Sequence, residues 1–324
     1  MNPMRYIVIG AGAVGGAIGG RLRQSGRDVV LVARGAHAAA LRADGLRLTT
    51  PEGSVTLPVP VAESPDEAAP REGDVLILSV KTQDTAAALA TWAEAAGDLP
   101  LFAAQNGVAN EPMALRHFRR VYGVCVWLPA QFLDAGAVVA PCGPLTGILH
   151  LGRYPEGPVE GDETLRRVSE DLRGARFGAP VVPDVMRWKY AKLLSNLGNA
   201  LEALCGPVEG EARTGLLRRA RDEGVAALRA AGIPFASDEE QAAAREGRMT
   251  YHDIPGAERG GSSTWQSLRR GRSVEADWLN GEVALLGRAF GVPTPVNEAL
   301  QRHAAAAARA GRPPGSLSPD ELGV

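Results

Sequence analysis

The sequence is poor in aromatics: Phe, Trp and Tyr make up 5% of its 324 residues, too few for stacking platforms that hold single-stranded nucleic acid. It has no excess of either charge. Thirty-five Lys and Arg oppose 37 Asp and Glu, a formal net of −2, which excludes a global pull toward nucleic acid or an anionic membrane. Long apolar runs are absent. No window offers 18 apolar residues, so no membrane-spanning helix is expected, and no basic stretch with an apolar run and cleavage site marks a signal peptide. Cysteine is scarce. Cys125, Cys142 and Cys205 lie far apart, with no CxxC pair and no His at zinc-ligand spacing. They read as buried thiols in a reducing compartment. His37, His117, His150, His252 and His303 are scattered, so no metal site is expected. These absences lead to the expectation of a cytoplasmic protein with neither nucleic acid nor membrane as partner.

What is present is an ordinary globular composition, 45% hydrophobic and 22% charged. The length suggests two domains at roughly 150 residues each. Tyr6 to Ile9 is a short apolar strand, followed by Gly10-Ala11-Gly12-Ala13-Val14-Gly15, a helical stretch from Ala17 to Ser25, and a second apolar strand from Asp28. That is one βαβ unit. Strands at 74–80 and 99–104 with a helix at 85–96 continue the alternation, which predicts a parallel sheet with helices on both faces. Short strands at 121–128, 137–140 and 147–151 read as the far side of that sheet, partly antiparallel, and Pro180 to Pro183 as the last strand. Beyond, the pattern is helical: 185–204, 216–231, 238–246, 276–290 and 297–310. The expected fold is α/β, a doubly wound Rossmann-type sheet followed by an all-helical domain. The boundaries are 1–184, 185–312 and a tail at 313–324, where Pro313-Pro314 cannot continue a helix.

Gly10, Gly12 and Gly15 have dinucleotide-binding spacing in the context that supports it, directly after a strand and opening a helix. At the end of the second strand NAD binders usually carry Asp or Glu. Here the sequence reads Ala33-Arg34-Gly35, and a guanidinium pairs with a 2′-phosphate where a carboxylate repels it. NADP is therefore the expected cofactor, with a solvated surface charge as the plainer reading of Arg34. Lys81 and Asn106 stand at further strand ends, where ligands of open α/β sheets sit. The plainer readings are a solvated lysine and a turn asparagine. The stretch Gly15 to Gly20 suits either sheet packing or a subunit contact, so a homodimer stays open.

On the helix 185–204, at about 100° per residue, Asn196 falls about 40° from Lys192 and Asn199 about 20° on its other side. An ammonium and two amides share one face, opposite leucines 193, 194, 197, 201 and 204. A polar substrate pocket would explain them; a solvated helix face is the alternative. Lys189 lies off this stripe and is the weaker candidate. Glu275 and Asp277 follow a glycine-rich loop and otherwise read as acids in a first helical turn.

With these residues in view, the chain resembles the ketopantoate reductase (2-dehydropantoate 2-reductase) family over about residues 4–305. The carriers are the Gly10–Gly15 loop, Lys81, Gln105-Asn106-Gly107, Lys192-Leu193-Leu194-Ser195-Asn196, Ser262-Ser263 with Gln266, and Gly271-Arg272 with Glu275, Asp277 and Asn280-Gly281. The resemblance implies a site between a Rossmann and a helical domain, where NADPH delivers hydride to a 2-keto acid. It implies Lys192 as catalytic acid and Glu275 as its acidic partner near the cofactor. Asn106 would touch nicotinamide and substrate, Asn196 and Ser263 the substrate, and Ala130 the cofactor by its backbone. The sequence departs from the family's pattern at Ala200, whose asparagine is displaced to Asn199, at Thr264-Trp265 in place of Met-Leu, and at Ser267 in place of an acid. Ketopantoate is the leading substrate and another bulky 2-keto acid its rival. A non-catalytic NADP-binding sensor is the alternative from a different class, against which the retention of Lys192 and Glu275 argues.

Overall fold

Successive side chains of a strand point to opposite faces, so an apolar run such as Tyr6 to Ile9 needs cover on both sides. In the computed structural model, which describes residues 4–207, 209–255 and 260–324, it has that cover. Tyr6 and Val8 join a core with Ile18 and Leu22 on one side, while Ile7 and Ile9 join Leu89 and Trp92 on the other. In chain order the elements are β1 (Arg5–Ile9), α1 (Ala13–Gln24), β2 (Asp28–Val32), α2 (Gly35–Asp44), β3 (Leu46–Thr50), β4 (Gly53–Leu57), β5 (Val61–Ala62), α3 (Pro65–Ala68), β6 (Asp74–Leu78), α4 (Thr82–Ala96), β7 (Leu101–Ala103) and α5 (Asn110–Leu115). There follow β8 (Val121–Trp127), β9 (Ala137–Val139), β10 (Cys142–Pro144), β11 (Gly147–Tyr154), α6 (Glu163–Gly174), β12 (Phe177–Gly178), α7 (Val185–Asn196), α8 (Gly198–Cys205), α9 (Gly210–Ala230), α10 (Asp238–Arg245), β13 (Met249–Tyr251), α11 (Ser263–Arg269), α12 (Asn280–Phe290) and α13 (Pro295–Arg309).

The large sheet runs β12-β11-β8-β7-β6-β1-β2-β5. From β5 to β8 every pairing is parallel. β11 runs antiparallel to β8, from Ile148 opposite Trp127 to Tyr154 opposite Val121. The doubly wound α/β class expected from the sequence is therefore present. The stretch around 137–140 departs from expectation: β9 belongs to a separate three-stranded sheet with β3 and β4. Residues 180–183 form no strand. Val181 makes one bridge to Leu151, because the flanking prolines have no N–H to extend a ladder. The glycines of α1 serve packing within the chain: a Cβ on Gly16, Gly19 or Gly20 would stand 2.6–2.8 Å from Val138, Leu31 or Leu46.

The chain divides into two compact units, Met1–Lys189 with Ser237–Glu258, and Tyr190–Ala236 with Arg259–Val324. This division differs from the boundary expected at Asp184, since residues 237–258 rejoin the first unit. They return there by definite contacts. β13 pairs antiparallel with β10, Arg187 holds Glu240 through two bonds at 3.0 and 2.6 Å, and the Arg245 guanidinium lies 3.9 Å over the Trp127 ring.

Beside that ring system His150 is buried and stacked on Trp188 at 4.0 Å. Burial, with Arg245 and Arg248 nearby, pushes its pKa down to about 4. The unfolded chain therefore takes up this proton first as pH falls from about 6.5 to about 4, and stability drops over that window by at most about 1.4 kcal/mol per pH unit. His150→Phe keeps the stack and removes the titrating group. Urea unfolding at pH 7, 5.5 and 4.5 should show a shallower acid limb in this variant; an unchanged limb would assign it to other groups.

In the second unit the helix expected over 185–204 is interrupted at Leu197, giving α7 and α8. The Leu197 carbonyl accepts a 3.1 Å bond from the Asn280 amide, a partner outside the helical ladder. Asn280 also donates to Asn297 Oδ1 at 3.0 Å. Glu223 accepts the Val296 and Asn297 N–H groups at 2.9 and 3.0 Å, capping α13. Residues 276–278 form a 3-10 turn instead of the start of a long helix, since Leu279 (φ −114, ψ −82) breaks the path before α12. The tail packs on its unit: Gly315 and Leu317 donate to the Ala203 and Leu204 carbonyls near the end of α8. None of the described helices is long and apolar enough to cross a membrane.

Candidate functional site

In the first unit, β1 has β2 and β5 on one side and β6, β7 and β8 on the other. The chain reverses direction across the sheet between β1 and β6, and ligands of such sheets bind at that switch point, beyond the carboxyl ends of the strands. The glycine loop lies there. Gly10 has φ +100, and a Cβ on it would stand 2.8 Å from Val80 Cγ1 and from Val80 N. A Cβ on Gly15 would stand 2.1 Å from the Gly10 carbonyl oxygen and 2.2 Å from Ser79 Oγ. Gly12 differs: a Cβ there would meet nothing nearer than Phe132 at 4.0 Å, which leaves space for a ligand to approach its backbone. Gly12 also caps α1 without a side-chain bond, and the first turn of α1, Ala13 and Val14 included, holds no acid. Such a helix start favours an anion. These features fit a dinucleotide pyrophosphate.

Ala11 is held from two sides. Its N–H donates to the Val32 carbonyl at 3.0 Å. Its carbonyl is 2.8 Å from His37 Nε2, and His37 Nδ1 accepts the Gly136 N–H at 2.9 Å. Those two bonds assign the proton to Nε2. No local signal marks this histidine, because its partners lie 26 and 99 residues away. Ala130 lies in the loop after β8, two residues before the Phe132 that borders Gly12. Arg34 caps α2 beyond β2 and is exposed. Glu63, after β5, is a carboxylate the sequence reading did not weigh. Arg42 binds it at 2.5 Å and holds it below the ordinary carboxylate range.

Lys81 caps α4 beyond β6. The Asn106 loop is tied to the same place. Gln105 Nε2 donates to the Val80 carbonyl at 2.7 Å and to Thr85 Oγ1 at 2.8 Å, and the Asn106 carbonyl accepts from Asn110 Nδ2 at 3.0 Å. Val80 thus borders Gly10 and carries Gln105. The structure brings the glycine loop, Lys81 and Asn106 together around adjoining strand ends.

In the second unit, Lys192 is half-buried on α7 and Asn196 is its buried last residue. Asn199 is on α8, beyond Leu197, whose dihedrals (φ −62, ψ −26) remain helical although it separates the two helices. Ser263 opens α11. Its neighbour Ser262 donates to the Asn199 carbonyl at 3.2 Å, and the Ser262 N–H to Glu202 at 2.9 Å. The start of α11 is thereby fastened to α8. Glu275 is buried immediately before the 3-10 turn. Asn196 Nδ2 and Ser263 Oγ are buried without a hydrogen-bond partner among the described residues. Each such atom costs about 1–3 kcal/mol unless something bonds it; His150 Nδ1 and Asn280 Oδ1 share that state elsewhere, so the two atoms are compatible with a polar ligand.

Residues 6–155 match the family model described as ketopantoate reductase PanE/ApbA, and residues 184–308 match the model of that family's C-terminal part. A 2-dehydropantoate 2-reductase of Archaeoglobus fulgidus is 30% identical over 306 residues, covering 93% of this chain and 96% of that protein. The crystal structure of a PanE/ApbA family ketopantoate reductase from Ralstonia eutropha JMP134 superimposes with TM-score 0.78 at 28% identity, covering 95% of this chain and all of the other. A ternary structure of D-mandelate dehydrogenase with NADH and anilino(oxo)acetate shares the fold, with TM-score 0.79 at 20% identity, over 96% of this chain and all of that one.

Proposed function

The chain belongs to the ketopantoate reductase PanE/ApbA family, a family of oxidoreductases, and from that premise we propose that it reduces a 2-keto acid to the 2-hydroxy acid with NADPH, 2-dehydropantoate being the leading substrate. The observation that carries the reading is the pair of unsatisfied buried atoms, Asn196 Nδ2 and Ser263 Oγ, at the two positions assigned to substrate from the sequence. An amide N–H and a hydroxyl suit the carboxylate of a keto acid and the hydroxyl of ketopantoate. Asn199, beside Ser262, belongs to the same group.

The Gly10–Gly15 loop and the start of α1 would hold the pyrophosphate, with Ala130 adding a backbone contact. Arg34 would take the 2′-phosphate and Lys81 a ribose or phosphate oxygen. Asn106 would bond nicotinamide and substrate. NADPH supplies, when bound, the hydride for the keto carbon. Lys192 Nζ bonds the ketone oxygen, stabilises the negative charge developing there and gives it a proton; solvent restores that proton afterwards. Glu275 places a carboxylate in the same unit as the acidic partner of that amine.

The test is to mix protein and NADPH with ketopantoate and a panel of other 2-keto acids and follow the nicotinamide absorbance. Turnover is expected. Tight NADPH binding without turnover on any keto acid would leave the sensor reading. Arg34→Ala is expected to raise KM for NADPH at least tenfold while changing that for NADH less than threefold. Equal effects would remove the 2′-phosphate contact, since a guanidinium–phosphate pair discriminates the two cofactors.

A further inference from the structure

The chain contains three lysines, Lys81, Lys189 and Lys192, against 32 arginines. In so arginine-rich a sequence, a retained lysine marks a demand that a guanidinium does not meet. Lys81 and Lys192 are assigned to the proposed site. Lys189 is the third, and it is buried within the first unit in an ion pair with Glu111, the two side chains 2% and 0% exposed.

A buried ion pair is a poor source of stability, because the desolvation of both charges offsets their attraction. This pair is also incompletely satisfied: Glu111 Oε2 has no hydrogen-bond partner among the described residues, and burial pushes the Glu111 carboxyl upward against the pull of the ammonium. Its presence therefore asks for another reason, and the geometry supplies one. Lys189 Nζ donates to Glu111 Oε1 and, at 3.0 Å, to the backbone carbonyl of Gln105. Gln105 is the residue before Asn106. Its side chain is already fixed by Val80 and Thr85. Beyond it, the Asn106 carbonyl is held by Asn110, and Asn110 Oδ1 accepts from Thr85 Oγ1 at 2.8 Å. The backbone is thus pinned on both sides of Asn106. The compact ammonium reaches a carboxylate and a carbonyl together where a planar fork would need more room.

We propose that Lys189, charge-balanced by Glu111, is a positioning residue that holds the Gln105–Asn106 backbone, so that the Asn106 amide meets the nicotinamide and the keto acid in one orientation. The inference rests on the function proposed above, and its test is chosen to separate the two. The variant K189M/E111L removes both charges, which leaves no lone buried ion and is expected to keep the melting temperature within a few degrees of the parent. Three readouts follow. The affinity for 2′-phospho-ADP-ribose, which lacks nicotinamide, should change less than twofold. The change in NADPH emission on binding, which senses the nicotinamide's surroundings, should be lost or halved. The kcat should fall at least tenfold, with KM for NADPH moving less than threefold. A stable double variant with parental emission and kcat would overturn the proposal, because a merely structural pair predicts that result. If the double variant does not fold, Lys189→Arg decides: it keeps a cation beside Glu111 and replaces the compact ammonium that also reaches the Gln105 carbonyl. Reduced kcat and emission support the proposal; parental values overturn it. If the unaltered protein binds NADPH but reduces no keto acid, the activity reading falls and the emission change alone decides the role of Lys189.

Discussion

Lys192→Ala is expected to fold, to bind NADPH within threefold of the parent, and to lose about 10³-fold in kcat. Alanine is the best helix former, so α7 keeps its backbone. The glycine loop, Arg34 and Lys81 all lie in the other unit, so the means of holding the cofactor is untouched. What is removed is an ammonium asked to do two things. One hydrogen-bond donor aimed at developing oxyanion charge is worth about 10²–10³ in rate, and a positioned general acid about 10²–10⁴. The two overlap in one group, so the product of both ranges is not expected. Lys192→Arg separates them: a guanidinium keeps the charge but gives up its proton far less readily, so it should recover part of the loss. Steady-state kinetics at saturating NADPH, with a fluorescence titration for cofactor affinity, reads both. Near-parental kcat in Lys192→Ala would remove this residue from the chemistry.

How much of this was legible in the sequence follows the range of the interactions. The glycine loop and the inner strands were legible, because apolar runs and glycine spacing are local signals. Asn196 and Ser263 were reached through the family resemblance, and their unsatisfied atoms agree with a ligand role. The small sheet of β3, β4 and β9 was not legible, since its pairing of Arg47 with Ala137 joins segments far apart in the chain. The interruption at Leu197 was hidden for the same reason: its partner Asn280 lies 83 residues on. Helix α6 has a local signal at its start: Asp162 caps it by accepting the Leu165 N–H, and Leu165, Val168 and Leu172 recur at helical spacing. Helical arithmetic set Lys189 apart from Lys192 but gave no hint of its partners. Glu111, in the first turn of a short helix, reads from sequence as a response to the dipole. The usable signal was composition, three lysines among 35 basic residues.

The two glycines at the start of α1 should fail in different ways when alanine replaces them. In Gly15→Ala the new methyl would stand 2.1 Å from the Gly10 carbonyl oxygen, 2.2 Å from Ser79 Oγ and 3.0 Å from Val8 Cγ1. The first of these is backbone in the turn itself, so helix and strand must separate. Overpacking of this kind costs about 1–3 kcal/mol, and it distorts the loop proposed to hold the pyrophosphate. Both the melting temperature and NADPH affinity should drop. In Gly12→Ala the methyl meets nothing within 4 Å except Phe132 at that limit, and the backbone there (φ −71) is open to any residue. The fold should persist, less the few tenths to about 1 kcal/mol by which alanine is a poorer helix cap than glycine. The methyl instead occupies the approach to the backbone where the phosphates would lie, so NADPH Kd should rise at least tenfold. Thermal melts with calorimetric titration of NADPH on both variants read the contrast. A Gly12→Ala protein that binds NADPH as the parent does would move the cofactor away from this turn, since no dinucleotide could then be in contact with the Gly12 backbone.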